Sequence, residues 1–523
     1  MEVLMDIIEQ FKLFTMLGGG GLVAGEMISC YFKNKTSKVD KLATSYIASK
    51  NSIEDITGET GLILSKDIQL KEKYDFEGSV TVAPTGSGKT SSFFFPNLLS
   101  NNIRGSIIVT DPKGELFKLT SKYQEKVCKR KVLKFSPLEP RTSERYNLLT
   151  SCKDNSDIVE LASTLLFNGA LSIELSTGKK TGGAEWIQMA EPLLAAALLY
   201  TKNLGYPFNN IEFAFKLIIN LSTEQLDSLF NSSNNIDCIN QWNIFKTVTG
   251  ADRTEGSIKI TLASNMKLFI DNRVNQVGID STFNIEKFRE QPTILYVCYP
   301  ENKSPYLAPF IAPFFGQAIN KLIDSYTENN LPITMLFDEF GNIGMLNNMS
   351  VNVATIRSRK ISMNICLQSI TQLFQTYGIS NGKAILNNLK TKIILPGLSD
   401  SDTTNYLSNL CGNKEITICN TNVNKQNITH SYSKTKIKLF EDSELRCLED
   451  NQVLIITSNK QPILSVQNRY YTNDTYTNNI YSDTVKVSHN IIKKINIDNE
   501  IEKLRLEIVK NDVVKDVSEE LFN

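Results

Sequence analysis

The sequence predicts an α/β protein: a doubly wound, mostly parallel sheet carrying an inserted all-α domain. Three observations predict it. A series of short runs rich in β-branched and aromatic residues is continuously apolar instead of alternating, which is how strands read when both faces are covered. Most intervals between those runs show helical spacing. One long interval, from about Cys152 to Thr249, has helical patterns and no strand run at all.

The chain opens with a leader, residues 1–45. Within it Leu13–Phe32 is apolar apart from Glu26 and long enough to span a bilayer, with lysines 33, 35, 38 and 41 behind it as a cytoplasmic flank. Four consecutive glycines (18–21) and Gly25 dilute its hydrophobicity, and Glu26 would cost roughly 2–3 kcal/mol at mid-membrane, so the stretch reads as either a weak anchor or a flexible or partner-bound leader. There is no cleavable-signal pattern. The core is predicted over 46–151 and 250–475. Its strand runs are Ser79–Ala83, Ser106–Thr110, Lys131–Phe135, Thr293–Val297, Ile333–Phe337, Ile361–Leu367, Thr391–Leu395 and Gln452–Thr457. The first runs through a loop into a helix, Ser91–Leu99. The insert, 152–249, shows helical patterns at Asp157–Phe167, Ala184–Lys202 and Ile211–Leu221. Beyond Tyr471 the chain turns polar, and a charged tail over 476–523 reads as a solvated helix, Ile491–Leu521.

A chain of 523 residues is too long for one simple core and implies two or three domains. The 56 basic residues balance 56 acidic ones, so net charge neither advertises a polyanionic partner nor excludes a local basic channel. Nine cysteines are scattered without a CxxC, and there are only two histidines. That usage excludes a zinc or disulfide framework and leaves magnesium, brought in with a nucleotide, as the metal to expect.

The chemistry begins at Ala83-Pro-Thr-Gly-Ser-Gly-Lys-Thr90, a Walker A loop with alanine for its first glycine. Between a strand and a helix, the stretch Pro84, Thr85, Gly86, Ser87, Gly88, Lys89 and Thr90 points its backbone N–H groups at phosphate oxygens, where the helix dipole favours negative charge. Lys89 reaches the β and γ phosphates of ATP, and the Thr90 hydroxyl joins the Mg2+ shell. A second strand, Leu331–Phe337, ends in two acids as a Walker B element does. Asp338 would hold the metal and Glu339 would polarise the attacking water. Gln368, after the strand Ile361–Leu367, is placed to sense the γ-phosphate, and the alternative is a polar strand cap. Arg357 fits either an arginine finger reaching a neighbouring subunit or a basic helix end. Asp111, in Asp111-Pro-Lys-Gly-Glu115, fits either a phosphate-side residue or a plain turn.

These motifs together resemble a known family. The segment Val82–Leu99 with its Pro96-Asn97-Leu98-Leu99 ending, Thr110–Glu115 and Arg145-Tyr-Asn-Leu148 resemble the TraG/TraD-type coupling proteins of type IV secretion and conjugation. Leu336–Gly344, Arg357, Gln368–Leu373, Tyr377-Gly378 and Ile394–Gly412 extend the resemblance over roughly residues 55 to 475. It implies a RecA-like P-loop NTPase core with an all-α domain, assembled as a homo-hexamer at the cytoplasmic face of the cell membrane. It also implies an ATPase that recruits a relaxase bound to single-stranded DNA (the relaxosome) and hands it to components of the type IV secretion channel. By the same resemblance Lys89 and Thr90 are the Walker A residues, Asp338 and Glu339 the Walker B pair, Gln368 the family glutamine and Arg357 the trans-acting arginine. The insert would meet cargo or accessory proteins. The family usually begins with two clear transmembrane helices, so a separate membrane partner protein is expected to supply the tether here. Nothing resembles a base-reading motif, so any DNA contact should be salt-sensitive and sequence-tolerant. The competing readings are a cargo receptor in which ATP organises the ring without powering transport, an FtsK-like double-strand DNA pump, and, least favoured, a small-molecule kinase.

Overall fold

A computed structural model describes residues 43–178, 183–249, 252–424, 427–489 and 496–522. The apolar stretch Leu13–Phe32 lies outside them. The chain divides into two compact units, the larger holding Ile47–Cys411 with Phe440–Asn523 and the smaller taking in Gly412–Leu439.

Among the described residues the first seven strands are β1 (Ser79–Val82), β2 (Ser106–Asp111), β3 (Lys131–Phe135), β4 (Thr293–Cys298), β5 (Ile333–Phe337), β6 (Ile361–Leu367) and β7 (Thr391–Ile394). Then come β8 (Asn413–Asn424), β9 (Asn427–Lys438), β10 (Gln452–Ile456) and β11 (Ile463–Val466). All except β8 and β9 form one sheet in the order β11-β10-β7-β1-β6-β5-β2-β4-β3. Every pairing from β7 to β3 is parallel, and β10 and β11 are added antiparallel at one edge. Each residue of β1, β2, β4, β5, β6 and β7 is buried, which explains why those runs carry no polar alternation. The edge strands β3 and β11 are partly exposed and correspondingly less apolar.

Parallel pairing brings the carboxyl ends of β1, β2, β4, β5, β6 and β7 to one rim, the rim at which open α/β sheets build their sites. The register is pinned across the middle by buried Asn364 of β6. It accepts from Ser79 Oγ of β1 at 2.7 Å and donates to the Met335 carbonyl of β5 at 3.2 Å. A polar side chain with both needs met inside the sheet penalises any slip that would orphan it.

In the smaller unit β8 and β9 form a two-stranded antiparallel ribbon, Asn413 opposite Lys438. The sequence predicts no strand here, because asparagine, threonine and lysine separate its isolated apolar residues. The sequence likewise predicts no strand at β11, whose edge position leaves it partly exposed.

Between β3 and β4 the main elements are helices: Asn155–Thr177, Ala184–Lys202, Ile211–Asn220, Thr223–Asn231, Ile236–Val248 and Asp252–Asn265. Their starts are written in the sequence as caps. Asp154 accepts from the Asp157 N–H, Asn210 from the Phe213 N–H, and Ser222 with Gln225 forms a reciprocal capping box. Trp242 is fully buried against Phe230 and Phe245 and gives its indole N–H to Asp227 at 2.7 Å. Asn155–Thr177 is long and apolar enough to cross a bilayer, but 56% of its most apolar window is buried, and it packs on Ala184–Lys202 and Ser304–Asp324.

The tail carries the expected helix, with most of its described side chains exposed, but it is not free of the body: the described residues after β11 are laid along the larger unit. Tyr470 packs on Phe95 with ring centroids 4.4 Å apart, Asn479 donates to the Leu99 carbonyl, and the His489 N–H reaches the Arg141 carbonyl. The helix Ile497–Phe522 then buries Ile497, Ile501 and Ile508 where it packs on Ile211–Asn220 and Thr223–Asn231, and Asp498 pairs with Lys216 at 2.9 Å. Isoleucines four and seven residues apart form a narrow seam, easily lost among the surrounding lysines and glutamates.

Gly169 lies where Asn155–Thr177 crosses Asp252–Asn265. A Cβ there would stand 2.2 Å from the Asn265 carbonyl oxygen, a backbone atom that cannot move aside. Gly169→Ala, although it favours the helix locally, is therefore expected to destabilise the larger unit by about 1–3 kcal/mol, read as a lower urea midpoint. An unchanged or higher midpoint would show that the crossing can open freely.

Candidate functional site

The loop after β1 is shaped by two glycines. Gly86 and Gly88 hold φ of 84° and 97°, a region that residues with a Cβ rarely enter. A Cβ at Gly86 would meet nothing within 4 Å, so the loop faces open space on that side. The next turn, Thr90–Phe94, is wound wide as a π-helix: the Phe95 N–H reaches the Thr90 carbonyl, and Pro96 has no N–H to offer the turn. Ser92 answers the Gly88 carbonyl with both its N–H and its hydroxyl, at 2.8 and 2.7 Å.

Across from this loop β5 delivers the two acids. Thr110, at the end of β2, ties β5 down by accepting from the Asp338 N–H at 2.6 Å and donating to its carbonyl at 3.1 Å. Glu339 is held in the left-handed region (φ 56°, ψ 52°), unusual for a glutamate. Its neighbours hold it there. Phe337 and Phe340 are both buried with ring centroids 5.4 Å apart, Phe337 packs on Phe315, and Phe340 stacks on Tyr377. Strain at such a position persists only where the surroundings over-determine it.

The side chains converge. Lys89 Nζ hydrogen-bonds Glu339 Oε1 and stands 3.4 Å from Asp338 Oδ1. Thr90 Oγ1 donates to Asp338 Oδ2 at 3.3 Å, and Gln368 Nε2 donates to Glu339 Oε2 at 3.1 Å. Lys89, Asp338 and Glu339 are each under a tenth exposed, so their charges must balance one another. Burial pushes the Asp338 carboxyl above its ordinary range, against the Lys89 charge and the Thr90 hydrogen bond, which pull it down. Its Oδ1 is buried with no hydrogen-bond partner and only the ammonium beside it, the position of an oxygen that can take a cation. With the Thr90 hydroxyl next to it, this is an all-oxygen donor pair suited to Mg2+. The positive-φ loop and its open face fit a phosphate chain.

Arg357 is placed elsewhere. It lies on the turn Ile356–Arg359 at the amino end of β6, while Gln368 follows the carboxyl end, roughly 20 Å away along the strand. There it pairs with Glu77 Oε1 at 2.9 Å, just before β1. This chain's Arg357 and this chain's phosphate loop are therefore not brought together. Asp111 is one strand from Asp338, but its carboxylate is spent locally, accepting from the Phe117 N–H at 2.8 Å at the start of the helix Glu115–Lys126. The sequence offered this residue as phosphate-side or turn; the geometry makes it a helix-start anchor.

Two contributors were given no role by the sequence, although both lie in segments that carry the family resemblance. Thr110 also had the signal of a hydroxyl residue closing an apolar strand. Gln372 accepts from the Gln368 N–H at 2.9 Å through its Oε1, and its side chain lies within 3.0 Å of where a Cβ on Gly341 would stand.

A family model described as type IV secretory system conjugative DNA transfer matches residues 34–494. The chain is 26% identical over 420 residues to the VirD4 protein of Rhizobium radiobacter, covering 76% of this chain and 57% of that one. It is 25% identical over 388 residues to the conjugal transfer protein TraG of Escherichia coli, covering 69% and 58%. The chain thus spans under three fifths of the length of these relatives. Among solved structures it resembles the bacterial conjugative coupling protein TrwB lacking its first 70 residues (TM-score 0.64, 14% identity, 82% of this chain and 93% of that). TrwB in complex with ADP and Mg2+ gives 0.62, 16%, 82% and 94%. At these identities the likeness shows the shared α/β, RecA-like fold.

Burial pushes the Asp111 carboxyl up to about 6; the N–H groups of Phe117, Leu116 and Gly114 oppose this and the Asp338 charge adds to it. A carboxyl raised in the folded state contributes stability that is complete below its ordinary range and lost as pH rises through about 6. Asp111→Asn keeps an acceptor for the Phe117 N–H and cannot ionise. Thermal midpoints across a pH series should show this loss removed, with a midpoint near neutral pH equal to or above wild type. A mutant profile parallel to wild type would mean that Asp111 does not carry the dependence.

Proposed function

The chain belongs to the type IV secretory system conjugative DNA transfer family, and from that premise we propose that it is an ATP-hydrolysing coupling protein. In this reading it recruits relaxase-bound single-stranded DNA or a protein substrate and energises delivery into the transfer channel. The observation that carries the ATPase part is the buried cluster of Lys89, Asp338 and Glu339 facing the glycine loop. One hydrogen-bonded group there joins the lysine proposed for the phosphates, the carboxylate proposed as cation ligand and the one proposed as base.

In this reading each residue of the cluster has a role. Backbone N–H groups from Gly86 to Lys89 hold the phosphate chain. Lys89, which balances both acids here, exchanges Glu339 for phosphate oxygens when ATP binds. Asp338 and Thr90 would hold Mg2+, which when bound would neutralise charge on the phosphate chain. Released from Lys89, Glu339 orients and deprotonates water for attack on the γ-phosphorus. Gln368, already bonded to Glu339, reports whether that carboxylate is engaged. Arg357 faces away from its own chain's loop, so a part in hydrolysis requires a neighbouring subunit, as in the homo-hexamer expected of the family. A tether at the cytoplasmic face of the membrane, through the leader or a membrane partner, belongs to the same proposal.

Glu339→Gln is expected to bind ATP and to lower turnover by about 10²–10⁴, the usual range for losing a general base, while Lys89→Ala loses both binding and turnover. Single-stranded DNA should raise wild-type hydrolysis as subunits assemble. Wild-type protein that binds ATP and never hydrolyses it, with or without DNA, would replace the motor by a cargo receptor. Mixing Arg357→Ala with Lys89→Ala tests the arginine. A trans-acting Arg357 restores part of the turnover at mixed interfaces, and two inactive proteins that stay inactive together remove it from the reaction.

A further inference from the structure

The segment after β11 closes on the phosphate loop from the side away from Asp338 and Glu339. A Cβ on Gly88 would lie 2.9 Å from Gln467 Oε1, 3.4 Å from Ser91 Oγ and 3.8 Å from Arg469 Nε. The segment is fixed at that distance. The Gln467 N–H donates to the Asn451 carbonyl at 2.7 Å, its amide donates to the Asp450 and Gln452 carbonyls, and Tyr470 packs on Phe95 of the loop's own helix.

The Arg469 guanidinium is partnered only by neutral acceptors among the described residues. Nε gives to Gln467 Oε1 at 3.4 Å, Nη1 to Tyr471 Oη at 3.2 Å and Nη2 to the Asp450 carbonyl at 2.6 Å. No carboxylate balances it, although it sits beside backbone N–H groups suited to anions. Tyr471 projects next to it, its side chain half exposed.

We propose that Gln467–Tyr471 forms the nucleoside end of the site, with Arg469 binding the α-phosphate and Tyr471 offering its ring to the base. The proposal rests on the P-loop reading above. Lys89 and Thr90 turn towards the acids and so take the β and γ phosphates and the metal. The flank formed by Gly88 and Ser91 then borders the α-phosphate, where an unbalanced guanidinium makes a charge-assisted contact. An aromatic face beside it stacks on any base, so the contact binds nucleotides without choosing among them. Because Tyr470 also packs on Phe95, the same segment joins the nucleotide to the helix that follows the loop.

The test is equilibrium binding of fluorescent mant-ATP and mant-ADP to the full chain, with inorganic triphosphate as competitor. Arg469→Ala should weaken both nucleotides alike, by about tenfold or more for one charge-assisted hydrogen bond. Tyr471→Ala should weaken both nucleotides and leave competition by triphosphate unchanged. Should Arg469→Ala unfold, Arg469→Lys and Arg469→Gln decide: both keep a donor for the Asp450 carbonyl, and only the lysine keeps the charge. Lysine near wild type with glutamine weak supports the contact. Equal affinities for the two, or Arg469→Ala within about twofold of wild type while Lys89→Ala loses binding, overturn it. If Lys89→Ala binds as wild type does, the P-loop reading itself falls, and this inference falls with it.

Discussion

A lysine and two carboxylates cannot be withdrawn from water singly, and the structure around the Lys89, Asp338 and Glu339 cluster is organised by that constraint. Each charge is tolerable only because the others lie within hydrogen-bond or ion-pair reach, with Thr90 and Gln368 taking remaining lone pairs. The strands must therefore stay in register. If β5 slipped against β6 by one residue, the acids would turn away from Lys89 and leave three buried charges uncompensated. Asn364, bonded across β1, β6 and β5, and Thr110, bonded twice to Asp338, hold that register from inside the sheet.

Under the proposed function the same constraint would make the cluster a switch. In the proposed reaction a phosphate chain would compete with Glu339 for Lys89, and a divalent cation would then stand in for the ammonium as the counter-charge of Asp338. Exchanging one buried balance for another avoids any stage at which a charge stands alone. What moves outward from it is set by packing. Phe337 and Phe340 flank the acids, Phe337 lies on Phe315 of the helix Ser304–Asp324, and that helix packs on Asn155–Thr177 of the helical insert. On the other side, of the residues after β11, Tyr470 packs on Phe95 beside the glycine loop and the helix Ile497–Phe522 packs on insert helices Ile211–Asn220 and Thr223–Asn231. The insert thus meets the nucleotide-facing elements by two routes.

Legibility in the sequence followed range. The strands that form the middle of the sheet were readable because burial on both faces removes alternation over four to seven residues, a local pattern. Ala83–Thr90 was readable because one continuous segment supplies the whole cradle. Asp338 and Glu339 were readable as the end of an apolar strand. The β8–β9 ribbon was not, since strands with both faces largely exposed need no apolar run. Asp111 could be narrowed to two roles and no further, as the choice depended on whether the helix after it or a phosphate would take the carboxylate.

By itself the sequence determined the α/β class, the strands β1 to β7 and β10, the glycine-loop motif and the identity of the acids that end β5, because each is encoded within a dozen neighbouring residues. Only the tertiary structure decided which of these meet. It brought Lys89 to Glu339 across 250 positions and Gln368 to Glu339, sent Arg357 to the opposite end of β6 against Glu77, and laid Arg469 beside Gly88. The physical reason is strand order. Adjacency in a doubly wound sheet is settled by how crossovers pack, and no short-range pattern records that β6 and β7 lie on either side of β1.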